Sequence, residues 1–355
     1  MAYNNASDFL IAGNDEHGVM PATPGKRTPM MPYIDRQIYE NEFNFAAKNW
    51  FLADCLRIGF FIFDVKPNRQ DLSISARVAA INRVLPTLVL TFAYNAFGDG
   101  QTFNNAGGIE AFYSSLNVQP AQSRTLAFNV YDEILAVTGL RGRGVGNLDV
   151  GMLSSVRTIA ALVECGFMTN FNEAKLMIDP DNQRNIGQAA CKGVCTFLNV
   201  RYYTPQETRY PVLRRGSRGS FVRYLQFMLK IEGYNLGSVD GVFGAQTENA
   251  VLSFQRANGL TADGIVGPAT WEKLNNFNPQ NRVLRRGSYG AEVKYLQRKL
   301  YSKLYNVGAF DGIFGNQTLD AVTAFQRENG LNPDGIVGPV TWEAIMDNAN
   351  SRPLT

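Results

Sequence analysis

The chain has 355 residues, enough for two or three domains and a sizeable buried core. Its composition is 45% hydrophobic and 18% charged with a net charge of +3, which excludes the strongly basic surface of a nucleic-acid binder. No stretch reaches the ~18 uninterrupted apolar residues of a membrane span, so no membrane insertion is expected.

In chain order, the start MAYNNASDFLIAGND lacks the basic segment, apolar run and small-residue cleavage site of a secretory signal peptide, so synthesis in the cytoplasm is expected. The first 200 residues then alternate strand-like and helix-like stretches, which predicts an α/β domain with a largely buried sheet. A short apolar strand is predicted over 9–12, ending at Gly13. Phe43, Ala46, Ala47, Trp50, Phe51 and Cys55 recur at helical spacing and predict a helix over about 38–57, stopped before Gly59. Strands are predicted over 60–65 and 85–92, with a helix over 73–83 between them. Two more strands over 109–113 and 160–164, and a helix over about 182–198, complete the domain. Four cysteines, Cys55, Cys165, Cys191 and Cys195, are too sparse for a disulfide framework and are expected as reduced, buried thiols. Cys191 and Cys195 share a helix face, yet two thiols make a poor metal site and adjacent turns a poor disulfide. His17 is the single histidine of the chain.

The C-terminal half repeats itself. VLRRGSRGSFVRYLQFML from Val212 returns as VLRRGSYGAEVKYLQRKL from Val283. Asp240 answers to Asp311, Phe254 to Phe325 and Trp271 to Trp342, a constant offset of 71 residues. Each unit predicts three short helices. Val222, Leu225, Met228 and Leu229 form one apolar stripe, and Val251, Phe254 and Gln255 belong to a second helix. In DG-x-FG-x-x-T the glycines permit tight turns, and Thr247 and Thr318 are expected to cap the helix that follows. DGIVGP makes another turn, and its proline opens the last helix. Phe254, Phe325, Trp271 and Trp342 are expected in the core. The polar, proline-bearing stretches 204–211 and 275–281 are expected to be linkers. Two fused copies predict a bivalent module with greater avidity than one copy.

These repeats resemble the peptidoglycan-binding domain found at the ends of many cell-wall hydrolases. The resemblance rests on the string D-G-x-F-G-x-x-T-x-x-A-V-x-x-F-Q and covers nearly all of 212–347, giving repeat domains at 212–275 and 283–348. It implies peptidoglycan as the partner. Residues 1–203 resemble the zinc-dependent N-acetylmuramoyl-L-alanine amidases, which cut the bond between the muramic acid lactyl group and the first residue of the peptide stem. The matching stretches run in order through IAGNDEHG, ATPGKRTP, YENEFN, DLSISARVAAIN, TFAYNA, GGIEAFYSS, RGRGV and ALVECGFMTN. This second resemblance implies an amidase-like α/β domain with a mostly parallel sheet, followed by two small all-α domains. It also implies zinc as cofactor, and action at the bacterial cell wall after lysis or release by a specialised route.

The implied chemistry needs a metal with an open position. Zinc held by three protein donors lowers the pKa of its bound water to ~7 and polarises the scissile carbonyl, while a carboxylate moves the protons. By the resemblance, His17 in NDEHG and Glu40 in YENEFN match two metal ligands, and Glu164 in LVECGF matches the catalytic carboxylate. The third ligand is a histidine two residues before the asparagine of an S-I-H-x-N-A string. Here the string is TFAYNA, so Asn95, a substrate-binding position, is in register and Ala93 occupies the ligand position. Without the resemblance His17, Glu40 and Glu164 would each read as structural, although an unpaired carboxylate after AALV is costly. Glu16 stands where the family usually has glycine.

A methyl group cannot coordinate zinc, and three explanations stay open. Ala93 is an introduced inactivating change, or it marks a natural pseudoenzyme, such as a wall-anchored scaffold of a spore layer or phage-like assembly. In the third, Asp15, Glu16 or another carboxylate completes a site of lower zinc affinity. Weak zinc binding and slow or absent wall hydrolysis are expected in each case.

Overall fold

The computed structural model describes residues 3–18, 26–275, 283–347 and 349–353. Residues 22–25 of ATPGKRTP, residue 348 and nearly all of the linker expected at 275–281 lie outside the described residues. The chain divides into two compact units, the first ending at Gln206 and the second beginning at Glu207, with Met31–Arg36 and Ile178–Pro180 assigned to the second.

The first unit is a six-stranded sheet flanked by helices. In chain order it comprises β1 (Leu10–Asp15), α1 (Glu40–Ile58), β2 (Phe61–Asp64), α2 (Ile74–Val84), β3 (Leu88–Asn95) and β4 (Ile109–Tyr113). Then come α3 (Pro120–Thr138), β5 (Gly142–Asn147), α4 (Gly151–Ser154), β6 (Ile159–Phe167), α5 (Phe171–Ile178) and α6 (Pro180–Leu198). The strand order is β2-β1-β3-β6-β4-β5, and every pairing is parallel except β4 with β6. The expected mostly parallel sheet is therefore present. The neighbouring strands β3 and β6 read LVLTFAYN and IAALVECGF because parallel strands covered on both faces bury nearly every side chain.

Helix α1 starts where Glu42 Oε1 accepts the Tyr39 N–H at 3.0 Å. It ends at Gly59, which takes φ 109° and donates to the carbonyls of Cys55 and Leu56. Strand boundaries differ from expectation by up to three residues, β6 running on to Phe167, and at two of them the cause is local. β1 runs through Gly13, where a Cβ would stand 2.9 Å from Leu52 of α1; the glycine lets the helix approach and does not end the strand. β3 begins at Leu88, since Leu85 caps α2 in a left-handed conformation at φ 51°. The sequence reading missed α3, whose Leu126, Ala127, Val130 and Ile134 form a buried stripe behind Pro120. It also missed the glycine-rich edge strand β5, which has no apolar alternation. All four cysteines are buried free thiols, as expected.

The second unit is helical: α7 (Ser220–Ile231), α8 (Ala245–Ala257) and α9 (Pro268–Asn275), then α10 (Ala291–Ser302), α11 (Asn316–Glu328) and α12 (Pro339–Met346). The stripe residues Val222, Leu225, Met228 and Leu229 are buried, and so are Phe254, Phe325, Trp271 and Trp342. The threonines are not caps. Gly244 precedes α8, and the buried Thr247, inside its first turn, accepts from Gln226 Nε2 at 3.1 Å.

That contact belongs to a polar clip. Gln226 Nε2 also lies 2.8 Å from Asp240 Oδ1 and 3.1 Å from the Val242 carbonyl, and Gln226 Oε1 accepts the Gly241 N–H at 2.8 Å. Gln255 makes the same set with Asp263, Ile265, Thr270 and Gly264. Gln297 and Gln326 do so in the second repeat. Each repeat thus ties down two DG turns, each with a buried glutamine. Gln255→Leu leaves the buried Gly264 N–H without its acceptor and is expected to destabilise the second unit by about 2 kcal/mol. Thermal unfolding of the full chain measures this, with the exposed Ser253→Ala as a near-neutral control.

Candidate active site

The carboxyl ends of β1, β3 and β6 lie side by side, the edge at which open α/β sheets hold ligands. Side chains at paired residues of parallel strands share a face. Ala93 pairs with Glu164 across β3 and β6, and Glu110 of β4 pairs with Glu164 from the other side. Ala93 is 3% exposed and joins an apolar cluster with Ala12, Val89, Ala160 and Leu162.

His17 follows β1 by two residues and adopts φ 56°. Its carbonyl holds this turn in place by accepting from Asn41 Nδ2 at 2.8 Å and from Lys66 Nζ. Its Nε2 lies 3.5 Å from Glu40 Oε2. Glu40, buried at the start of α1, uses Oε1 to accept from Asn44 Nδ2 at 2.8 Å and from the Tyr94 N–H at 3.0 Å, which leaves Oε2 towards His17. Burial pushes the Glu40 carboxyl up to about 7, with the Glu16 charge adding to the rise and the Tyr94 and Asn44 donors opposing it. Burial also pushes His17 down to about 4, helped by Lys26, Arg77 and Lys66. The imidazole is therefore neutral at pH 7.

Glu164 is incompletely satisfied. Its Oε2 has no hydrogen-bond partner among the described residues. Burial, then the charges of Glu40, Glu16 and Glu110, raise its carboxyl well above the usual range, which favours its protonated form. Asn95 stands beyond an irregularity in the ladder after Ala93, and its Oδ1 accepts the Ala96 N–H at 2.8 Å. The structure thus brings Ala93 and Glu164 together across the ladder and sets His17 against Glu40, while the Asn95 side chain closes a local turn.

The carboxylates considered as replacement donors are committed elsewhere. Asp15 pairs with Lys48 at 2.8 Å and Lys66 at 2.9 Å and accepts from Asn41 at 2.8 Å. Glu16 pairs with Arg77 at 3.1 Å. Among the described residues no group of three His, Cys, Asp or Glu is arranged to hold a metal ion. The donors present, His17 and Glu40, do not fit a three-ligand zinc site. Sequence reasoning used Asn44 only to place Glu40 and missed that it holds the carboxylate, though the Glu40–Asn44 spacing of one helical turn signals such a contact. It also passed over Glu110, an acid in an apolar strand, which pairs with Arg143 at 3.2 Å.

Fold and site together define an amidase-like α/β domain with a cluster of acids at the carboxyl edge of its sheet, joined to a repeated helical module. The chain's N-terminal domain belongs to the N-acetylmuramoyl-L-alanine amidase family, whose model matches residues 23–196, and two peptidoglycan binding domains follow at 218–274 and 289–345. The chain is 41% identical over 110 residues to N-acetylmuramoyl-L-alanine amidase CwlM of Mycobacterium tuberculosis, a match covering 29% of this chain and 27% of that protein. It is 35% identical over 157 residues to a protein of Bacillus licheniformis named Probable N-acetylmuramoyl-L-alanine amidase, covering 38% and 44%. Each match thus spans less than half of the relative's length. Among solved structures, an N-acetylmuramoyl-L-alanine amidase from Clostridium difficile 630 aligns with a TM-score of 0.47 at 23% identity, covering 55% of this chain and 98% of that one.

The Glu40 shift has a sign that stability measurements can read. A carboxyl raised in the folded state keeps a proton that the unfolded chain loses, so folded stability falls as pH rises from 4.5 to about 7. Glu40→Gln keeps the acceptor for Asn44 and Tyr94 and removes this titration. Denaturant unfolding with chelator present should find the variant similar to the parent near pH 4 and up to about 3 kcal/mol more stable at pH 8. Parallel pH profiles for the two proteins would contradict the assignment.

Proposed function

We propose that this protein attaches to peptidoglycan through its two repeats and presents to the wall an amidase-family domain whose hydrolytic centre is impaired. The bond in question is the amide between the muramoyl lactyl group and L-alanine, and the site of action is the bacterial cell wall. The observation that carries the reading is Ala93. It stands opposite Glu164 on the central ladder, its methyl group lies in an apolar cluster, and the nearby carboxylates Asp15 and Glu16 are held by lysines and an arginine.

The proton chemistry of the domain points the same way. Burial and the neighbouring acids favour the protonated form of Glu164, a form that can donate to a departing amine but cannot take a proton from water to start the reaction. The neutral imidazole of His17 is turned towards Glu40 and away from that task. Restoring the third donor supplies the missing element.

Ala93→His is therefore expected to raise zinc binding to one ion per chain and to produce dye release from labelled walls. A further Glu164→Gln change should abolish that release. Metal analysis paired with the dye-release assay decides the matter: full zinc occupancy and brisk lysis by the unmodified chain would overturn the proposal. Wall attachment is tested separately. The unmodified chain should sediment with purified sacculi, and failure to do so at both low and moderate salt removes the binding half of the reading.

A further inference from the structure

The two repeats touch through side chains and backbone that the internal repetition does not require. Lys273 of α9 pairs with Glu292 of α10 at 2.5 Å. Glu232, the residue that ends α7, lies in the field of Lys294 and Arg298 on α10. The last carbonyl of α8, on Ala257, sits so close to Gly290 that a Cβ there would stand 2.5 Å from its oxygen. At the 71-residue offset Lys273 answers to Ala344, Glu292 to Phe221, Glu232 to Lys303 and Ala257 to Glu328. The clip residues Gln226 and Gln297, Asp240 and Asp311, and Thr247 and Thr318 are identical at the same offset. Lys273, Glu292, Glu232 and Ala257, at which one repeat meets the other, thus differ between the copies, whereas the clip residues that build each repeat are shared. The contact is also asymmetric: the first repeat offers the ends of its helices, and the second offers the start of α10.

We infer that the tandem holds its two wall-binding faces at one fixed separation and engages peptidoglycan as a pre-spaced bivalent unit. This rests on the reading that the repeats bind the wall. Two copies on a loose tether gain avidity only through the effective concentration that the tether allows. Copies already set at the spacing of the ligand avoid the ordering cost of binding and gain more. A polymer with a regular repeat of sugar and peptide is the kind of partner such spacing fits.

A matched pair of glycines makes the inference testable in the full chain. Gly219 and Gly290 precede α7 and α10 at φ 112° and 113°, so an alanine is equally strained at either position. A Cβ on Gly219 meets nothing within 4 Å, whereas one on Gly290 collides with the Ala257 backbone. Gly290→Ala and Lys273→Glu should broaden the inter-repeat distance distribution, read by spin labels on non-natural residues at Ser253 and Asp320. Both should weaken sedimentation with purified sacculi by about tenfold. Gly219→Ala should leave both readouts near those of the parent, and Glu292→Lys should recover them in the Lys273→Glu background. A broad distribution in the unmodified chain, or broadened distances with unchanged wall affinity, would overturn the inference while leaving wall binding intact. No sedimentation of the unmodified chain would overturn the wall-binding reading as well.

Discussion

Residues Leu88 to Ala93 of β3 pair in unbroken register with Ile159 to Glu164 of β6, and this ladder decides which side chains meet at its carboxyl end. A slip of one residue would turn every side chain to the opposite face. The apolar runs on both strands resist such a slip, because Val89, Ala160 and Leu162 are packed in one cluster and Phe92 lies against Phe51 on the other side. The site inherits its geometry from that core. Ala93 and Glu164 face each other because the residues before them are locked, and no shift of a loop can exchange Ala93 for a different side chain.

The end of β1 is held by different means. Asp15 is buried between the ammonium groups of Lys48 and Lys66, and Lys48 also binds Asp64 at 2.8 Å. A buried carboxylate is tolerable only when paired and hydrogen-bonded, and removing one partner of such a group costs several kcal/mol. The cluster ties β1 to α1 and to the end of β2, and it delivers the following residues, Glu16 and His17, to the rim of the sheet. It also makes Asp15 unavailable as a metal donor, since any movement towards the site would take a carboxylate partner from two buried ammonium groups.

Much of this was legible in the sequence. The α1 helix announces itself through its apolar spacing and Gly59, and the repeats through their constant offset. What could not be read is what depends on contacts across the fold. Gly13 looks like a strand terminator, and only the nearness of Leu52 shows why it is glycine. Thr247 has the spacing of a cap, but the buried Gln226 amide claims its hydroxyl. The edge strand β5 carries no apolar pattern because its residues are exposed or only half-buried. At the site, the order of motifs marks His17, Glu40, Ala93 and Glu164, whereas the pairing of Glu16 with Arg77 joins the rim of β1 to α2, a contact no local pattern encodes.

The same rim shows how an acidic site can be balanced without a third donor. The Glu16 charge raises the Glu40 carboxyl, and the charges of Glu40, Glu16 and Glu110 raise that of Glu164. Arg77 neutralises Glu16 and Arg143 neutralises Glu110. Neither arginine pairs with Glu40 or Glu164, and burial and neighbouring acids drive both of these carboxyls upward. Both are biased towards the protonated, uncharged form. A divalent cation would have to displace those protons and gain enough from two donors to do so, against the cost of ionising carboxyls in an enclosed site. An added imidazole at position 93 contributes a neutral donor that adds no charge to the cluster, whereas another carboxylate would deepen the repulsion within it. The chemistry of the rim therefore asks for histidine in particular at that position.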